Sequence, residues 1–557
     1  MENLVYKIVS KSKNRWMITL IVIFAMIGAV MMLPSKIVKA KMLPGKSANT
    51  FTIYIDTATN ASMQETKRVT TCVVNYMKHE KEVMNMNLYL GQGAPLDYAG
   101  LVKGSAFKQL KNQAEIVINL SDKHHRDEPS YMMVHRIRPE IQALCGEIVP
   151  HTSIRFTEMP SGPPTLATIV IELFGEDNRL LRHTISRVAE LLSATKGLVD
   201  VDIMQDDLYT KFNVVVDKEK IIRSGLSVDQ VNQITYLAFK GTEVAVKNTH
   251  NQQDQIPIFL RLSKETRTLE YDSSNALKAK LSSLKLMNRQ GMMIPLSEVV
   301  KIEGIRSSPS IFRKNLKNYV AVTAECDLVS QVYPLLDARD KILKELSDEF
   351  TITKVEGMST YMFDLNLVDK STGKQMLLRW DGEMKVSLDT FRDLGAAFIA
   401  ALILIFLLIV LYYKSFALSG IVLLGSFLSI IGVIIGHWIT DKLQLALLDT
   451  HFFLTATSLI GFISLMGISA RSSLLLIDFT KSLIENGVEK QRAIALATAT
   501  RAKPILLTAV AIILGSLLLA TDPIFGGLGV ALIFGSIAAT LVSLFFIPVL
   551  MANTKAL

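Results

Sequence analysis

No aspartate or glutamate interrupts any of the long apolar runs in this chain, cysteine occurs only three times, and no basic stretch is interleaved with aromatics. Each absence removes a class of function. A base-stacking groove needs aromatic side chains spaced among lysines and arginines, so the net charge of +9 does not signal nucleic-acid binding. Cys72, Cys145 and Cys326 form no CxxC pair and cannot all be bridged, which argues against a disulfide framework or a zinc site. Neither GxSxG nor HExxH occurs, and His124-His125 lies in a polar run, so a membrane-bound hydrolase lacks its nucleophile and base.

What is present is a mixture: half of the 557 residues are hydrophobic, yet a fifth are charged. That balance does not suit a uniformly buried protein. It suits membrane spans joined to a soluble region, and the length calls for two or more folding units. Residues 16–33 carry no charge and follow Lys7, Lys11, Lys13 and Arg15. A cleavable signal peptide has the same basic flank, but no small-x-small site follows, only Pro34-Ser35-Lys36, so an uncleaved span is expected. Residues 394–413, 416–439, 504–521 and 523–551 are further uncharged runs, and 452–477 is broken by Arg471 alone. Each is long enough to cross about 30 Å of hydrocarbon at about 1.5 Å per residue. Gly425, Gly432, Gly461, Gly515, Gly527 and Gly535 lie inside these runs, where small residues let helices approach.

Orientation follows from the basic residues beside the spans. Placing the N-terminus inside puts Lys414, Lys481, Lys490, Arg492, Arg501, Lys503 and Lys555 in the cytoplasm, and leaves the short outer loops with Lys442, Asp441, Asp449 and Asp522. Residues 34–393 are then extracytoplasmic. Within them Phe51-Thr-Ile-Tyr-Ile-Asp56 alternates at period two, and strand-like runs recur at 115–120, 167–173, 199–204, 212–217, 256–262 and 319–325. Helical patterns fall at 62–79, 134–145, 178–195, 227–239 and 335–347. The alternation predicts split β-α-β layers, with helices on one face of a mostly antiparallel sheet. Gly162-Pro163-Pro164 reads as a linker.

Arg471 carries the chemistry. A charge inside an apolar span costs roughly 2.5–3.5 kcal/mol on insertion scales and usually faces a protein interior or an ion pathway. Asp478 follows seven residues later on the same helical face. Ser472 and Ser473 extend a polar patch inside the bundle, although Arg471 is near enough to the helix end for its guanidinium to snorkel. The next span begins Arg501-Ala-Lys-Pro-Ile-Leu-Leu-Thr508, with Pro504 suited to a first helical turn and Thr508 placed to face Arg471.

Two motifs, Gly467-Ile-Ser-Ala-Arg-Ser-Ser-Leu-Leu-Leu-Ile-Asp-Phe479 and Arg501 to Thr508, resemble helices ten and eleven of the resistance–nodulation–division (RND) exporters, closest to their hydrophobe and amphiphile branch. The likeness extends along the chain. Met42-Leu-Pro-Gly-Lys46 with Tyr54-Ile-Asp-Thr57 resembles the start of the first C-terminal porter subdomain, Trp380-Asp-Gly-Glu383 the approach to helix eight, and Thr455-Ala-Thr-Ser-Leu-Ile-Gly-Phe462 the start of helix ten. The resemblance implies a bundle of six transmembrane helices with a large α+β extracytoplasmic region. Its expected parts are a cytoplasmic N-terminus (1–15), a first helix (16–33), porter subdomains (45–205), an inserted docking subdomain (206–304), the porter return (305–360), a connector (361–393), five helices (394–551) and a cytoplasmic C-terminus (552–557). It further implies a trimer in the bacterial inner membrane, working with a periplasmic adaptor protein and an outer-membrane channel on small-molecule substrates. Such a protein is a secondary active transporter, not an enzyme, and needs no cofactor beyond the proton gradient.

In that family a helix-ten lysine and a helix-eleven arginine and threonine serve the proton relay; the matching positions are Arg471, Arg501 and Thr508. Arginine stays charged at working pH, so Arg471 can act as a counter-ion but cannot carry the proton. The uncharged runs hold no carboxylate, and Asp478, at a helix end, is the nearest acid. The family's paired aspartates belong to helix four, in an N-terminal half. The expectation is half a transporter whose partner is an N-terminal RND half carrying those aspartates. Heavy-metal (copper or silver) export is the competing reading, since Met84/Met86, Met132/Met133 and Met292/Met293 offer soft ligands, although core filling explains most methionines. A non-transporting, export-assisting subunit is a third.

Overall fold

The computed structural model describes residues 1–103, 105, 108–159, 161–163, 165–206, 208–250, 255–267, 273–355 and 363–557. Pro164 of the expected linker and the expected boundary at 360/361 lie outside them. The chain forms two compact units, one comprising Met1–Gln205 with Ile311–Leu557 and the other Asp206–Ser310.

In the first unit, strand Thr50–Asp56 lies between Gln113–Leu120 and Ser153–Glu158, with Val83–Leu90 at the edge, all antiparallel. Its alternation sends Phe51, Ile53 and Ile55 into a core with Val69, Val73 and Ile137 from helices Met63–Met77 and Ser130–Cys145. The first of these helices starts on a capping box in which Ser62 and Glu65 satisfy each other's backbone N–H groups. A seven-stranded antiparallel sheet repeats the plan. Ile169–Gly175 is flanked by Lys317–Cys326 and Gln375–Asp381, and helices Asn178–Ser193 and Val332–Leu346 cover one face. In the second unit Thr210–Val216 pairs with Val300–Arg306, and Thr242–Lys247 forms a hairpin with Ile256–Leu260.

Cys72 and Cys145 form a disulfide between the two helices of the first layer, leaving Cys326 free. The argument against a disulfide framework therefore needs one correction, because period-based reading cannot see that residues 73 apart meet on facing helices. In the chain-entropy picture a loop of that size is worth on the order of 4 kcal/mol. Replacing both cysteines by serine should lower the thermal midpoint of the purified chain accordingly. Thiol titration of the unreduced, denatured protein should find one thiol, rising to three on reduction.

The two α/β layers of this unit are joined by charge. Arg138 reaches Asp200 at 3.2 Å and Asp327 at 2.8 Å, Arg155 pairs with Asp56 and with Asp202, and Lys103 meets Glu325 at 2.7 Å. Glu158 lies at this seam without an ion pair among the described residues, and burial pushes its carboxyl up to about 7, with Arg138 and Lys41 opposing. The folded state then binds a proton that the unfolded chain releases above its ordinary value of 4.5. The stability this proton contributes is fully present below 4.5 and is lost as pH rises through about 7. The loss is at most about 1.4 kcal/mol for each pH unit separating the two values. Glu158→Gln should flatten that decline in a melting series from pH 4.5 to 7.5.

Among the described residues six helical segments are long and apolar enough to cross a membrane: Ser12–Met31, Glu383–Tyr413, Phe416–Leu448, Ala456–Glu485, Lys490–Ala520 and Gly526–Asn553. The third, fourth and sixth pack together through small residues; a Cβ at Gly432 would strike the carbonyl of Phe534, and one at Gly461 would crowd Ala531. By contrast, only 6% of the most apolar stretch of the first and second spans is buried within this chain, against 61% for the third.

Three expectations change. Lys490–Ala520 is one helix, so Pro504 lies in its interior rather than its first turn. Residues 490–503, which include Lys490, Arg492, Arg501 and Lys503, keep helical geometry beyond the apolar run, because charge limits a span and not a helix. The third span is interrupted at Leu428–Ser429, where helix Phe416–Phe427 gives way to Ile430–Leu448. That second segment extends past residue 439, so Asp441 and Lys442 stand on a helix and not in a loop, and Asp441 is buried.

Candidate proton-relay site

The fourth span begins at a capping box in which Thr455 and Ser458 bond each other's backbone N–H groups. From that end the helix carries Ser469, Arg471, Ser472, Ser473 and Asp478 in order. Ser469 and Ser473 face inward, 2% and 0% exposed, and neither hydroxyl oxygen has a hydrogen-bond partner among the described residues. Arg471 points the other way. Its side chain is exposed on the face of this chain, and no ion pair to it is found among the described residues. Asp478 is half-buried and accepts the Tyr413 hydroxyl of the second span at 2.6 Å.

On the fifth span, Arg501 lies with its guanidinium 5.0 Å from the centre of the Phe479 ring, a cation–π contact. Thr508 donates to the carbonyl of Pro504 at 3.0 Å, as threonines in membrane helices commonly do. It also lines a small cavity between the fourth, fifth and sixth spans whose other hydroxyls are Ser469, Ser472, Ser536, Thr540 and Ser543. Water-sized spheres have about 20 Å³ there, room for one water. Arg471 is not among its walls, so the structure brings Thr508 to Ser469 and Ser472 but not to Arg471. Arg501 meets Phe479, and Asp478 meets Tyr413.

Chemically, this inventory holds fixed cations and a hydroxyl-lined cavity. Hydroxyls can pass a proton through a water, but none titrates near neutrality. One titratable group escapes a reading confined to acids. His437, fully buried in the third span, bonds the Val433 carbonyl at 2.7 Å and the Ser458 hydroxyl at 2.8 Å. Its signal was plain, a histidine inside an uncharged run.

Six long apolar helices joined to paired split β-α-β layers define a membrane permease of the RND type. The chain belongs to the AcrB/AcrD/AcrF family, whose profile matches residues 2–554. It is 22% identical over 544 residues (96% of this chain, 45% of the relative) to the swarming motility protein SwrC of Bacillus subtilis (strain 168). It is 24% identical over 454 residues (78% of this chain, 38% of the relative) to the cobalt-zinc-cadmium resistance protein CzcA of Cupriavidus metallidurans (strain ATCC 43123 / DSM 2839 / NBRC 102507 / CH34). With the multidrug export protein AcrF of Escherichia coli (strain K12) it shares 22% over 564 residues, 98% of this chain and 48% of the relative. A crystal structure of a heavy metal efflux pump has the same fold, with a TM-score of 0.69 at 17% identity, over 99% of this chain and 51% of that one. The chain thus spans about half the length, or less, of the relatives it matches.

Proposed function

We propose that this chain is one half of a proton-driven RND efflux permease that exports small hydrophobic or amphiphilic compounds across the cell envelope, with the proton gradient as its only energy source. The observation that carries the reading is Arg471, a cation without an ion pair among the described residues, on an exposed face of an apolar span. Such a charge calls for a carboxylate from another chain. The largely unburied first and second spans offer apolar surface for the same partner, an N-terminal RND half with the helix-four aspartates. A bacterial inner-membrane location with residues 34–393 in the periplasm is supported by the basic flanks of the spans. The Cys72–Cys145 bridge supports it too, since disulfides persist in oxidising compartments. In this reading the two α/β layers are porter subdomains, the unit Asp206–Ser310 docks, and the assembly is a trimer engaging a periplasmic adaptor and an outer-membrane channel. The hairpin Thr242–Lys247/Ile256–Leu260 favours self-association, because Val244, Val246, Ile258 and Phe259 are all exposed.

A second reading, export of a heavy-metal ion, is favoured by the likeness to CzcA. Met292 and Met293 are exposed, yet no group of three histidine, cysteine or acidic residues among those described could hold a metal. Accumulation assays with an amphiphilic dye and with silver ions separate the two. Dye retention that rises when an uncoupler collapses the gradient supports the first reading; silver sensitivity without any dye effect supports the second. Retention indifferent to the uncoupler in both assays leaves an export-assisting subunit. Topology gives an independent check: reporter fusions after residues 200 and 555 should give opposite signals, and equal signals would overturn the arrangement of spans.

A further inference from the structure

His451, in the loop between the third and fourth spans, is held from both sides. Its Nδ1 lies 3.0 Å from Asp441 Oδ1 and its Nε2 lies 3.0 Å from Lys39 Nζ. An ammonium has donors and no acceptor, so Nε2 must present its lone pair, and the one ring proton sits on Nδ1, donated to Asp441. Asp441 is 8% exposed, and the same oxygen accepts the Phe452 N–H at 2.9 Å. The cluster is therefore a cation and an anion joined through a neutral imidazole. A proton arriving at His451 has only the Nε2 lone pair to occupy, and the Lys39 ammonium already uses it.

The Lys39 backbone is part of the connection between the first span and the α/β layers. Leu454 N–H donates to the Lys39 carbonyl at 2.8 Å, Lys41 N–H donates to the Leu454 carbonyl at 3.0 Å, and Ala40 bridges Leu454 in parallel. The Ser330 hydroxyl, just ahead of helix Val332–Leu346, donates to the Ala40 carbonyl. The Lys39 side chain thus springs from a strap that runs from the first span to the α/β layer of helix Val332–Leu346.

We propose that His451, with Asp441 as its counter-ion, is a proton-binding site at the end of the bundle nearest the α/β layers, where an incoming proton displaces the Lys39 ammonium. The proton comes from water and forms an N–H bond at Nε2; only the Lys39 hydrogen bond is broken, Lys39 stays protonated, and the cluster gains one positive charge. The other charged or titratable groups nearby are Lys41, whose ammonium lies 5.6 Å over the Phe453 ring, exposed Lys442 and Asp449 on the third span and its end, Asp522 capping the start of the sixth span, and His437. His437 lies one turn deeper, with the Phe452 ring 5.6 Å from its own. Any role for the site in pumping rests on the proton-driven reading above; proton binding itself does not.

Backbone hydrogen exchange of the purified full chain, read on peptides covering residues 36–46 and 449–456 and corrected for intrinsic rates, tests the site without a gradient. Between pH 8 and pH 5.5 the wild-type amides of Lys41 and Leu454 should lose protection about tenfold, the strap having lost an anchor worth about 1.4 kcal/mol. In His451→Gln the side-chain oxygen accepts Lys39 at either pH, and protection should stay high. In Lys39→Met the anchor is absent throughout, and protection should be low at both. A wild-type profile that is flat, or that His451→Gln and Lys39→Met leave unchanged, overturns the proposal. Loss of all gradient-driven export in the intact assembly would instead strike the transport reading and leave the exchange result standing.

Discussion

Arg471→Ala should abolish gradient-driven export while the chain is still made and inserted, and Arg471→Lys should retain part of it. The side chain is exposed on a membrane helix of this chain and meets no acid among the described residues. A guanidinium left against lipid is unfavourable, and one facing a carboxylate of a partner helix is compensated. Removing it then strands the partner's charge in low dielectric at a cost of roughly 3–5 kcal/mol, or at least a hundredfold in any equilibrium that needs the charge at roughly 1.4 kcal/mol per tenfold. Lysine restores the positive charge without the planar fork, hence the partial activity. The inward-facing Ser469 and Ser473 do not depend on Arg471 for their place in the helix, so the bundle should survive the change. Uncoupler-sensitive dye efflux, read beside membrane-fraction immunoblots, decides the matter. Normal efflux by Arg471→Ala would mean that the guanidinium only snorkels to the headgroups.

The spans were legible because an uncharged run long enough to cross a bilayer has few alternatives, yet their ends were not. Helices Glu383–Tyr413 and Lys490–Ala520 continue well into charged sequence, where hydropathy stops reporting and backbone hydrogen bonding continues. Strands with clear alternation, such as Thr50–Asp56 and Lys317–Cys326, could be read directly. Val83–Leu90 was passed over although Met84, Met86, Leu88 and Leu90 alternate with Asn85, Asn87 and Tyr89; the strand lies at the sheet edge, and Met84 and Leu88 on its apolar face stay exposed. Phe350–Lys354 alternates over Phe350-Thr-Ile-Thr353, and Leu365–Asp369 does not; neither run was singled out as a strand. For the site, sequence pattern marked Arg471 and Asp478 as charges in or beside an apolar run, but their surroundings depend on residues remote in the chain. Tyr413 reaches Asp478 across 65 positions, and Lys39 reaches His451 across 412. The expected meeting of Arg471 and Thr508 failed on rotation: Thr508 turns to a cavity walled by Ser469 and Ser472, while Arg471 lies on another face of its helix.

Expressed alone, this chain should confer no gradient-dependent export, and co-expression with an N-terminal RND half should restore it. A pump must take up and release protons inside the membrane, which requires a group that titrates there and a path to it. Here the relay positions supply Arg471 and Arg501, which never deprotonate at working pH, and the Thr508 hydroxyl, already committed to the Pro504 carbonyl. Asp478, expected at a helix end, instead lies about two turns inside helix Ala456–Glu485, where it accepts the Tyr413 hydroxyl. His437 bonds a backbone carbonyl and a serine hydroxyl, with no carboxylate hydrogen-bonded to it among the described residues, and His451 lies in the loop beyond the third span, at the rim rather than between the spans. Association of identical copies repeats this list and adds no carboxylate from the uncharged runs to compensate Arg471. A half with acids at that depth supplies both the missing titratable group and the missing counter-charge, and covers the bare faces of the first and second spans. The two halves should co-purify, and Arg471→Ala should weaken that co-purification. Proton-coupled export by the purified chain alone, reconstituted in vesicles with an imposed pH gradient, would defeat the two-half arrangement. It would direct attention to Asp478 and its bond to Tyr413 as the acceptor.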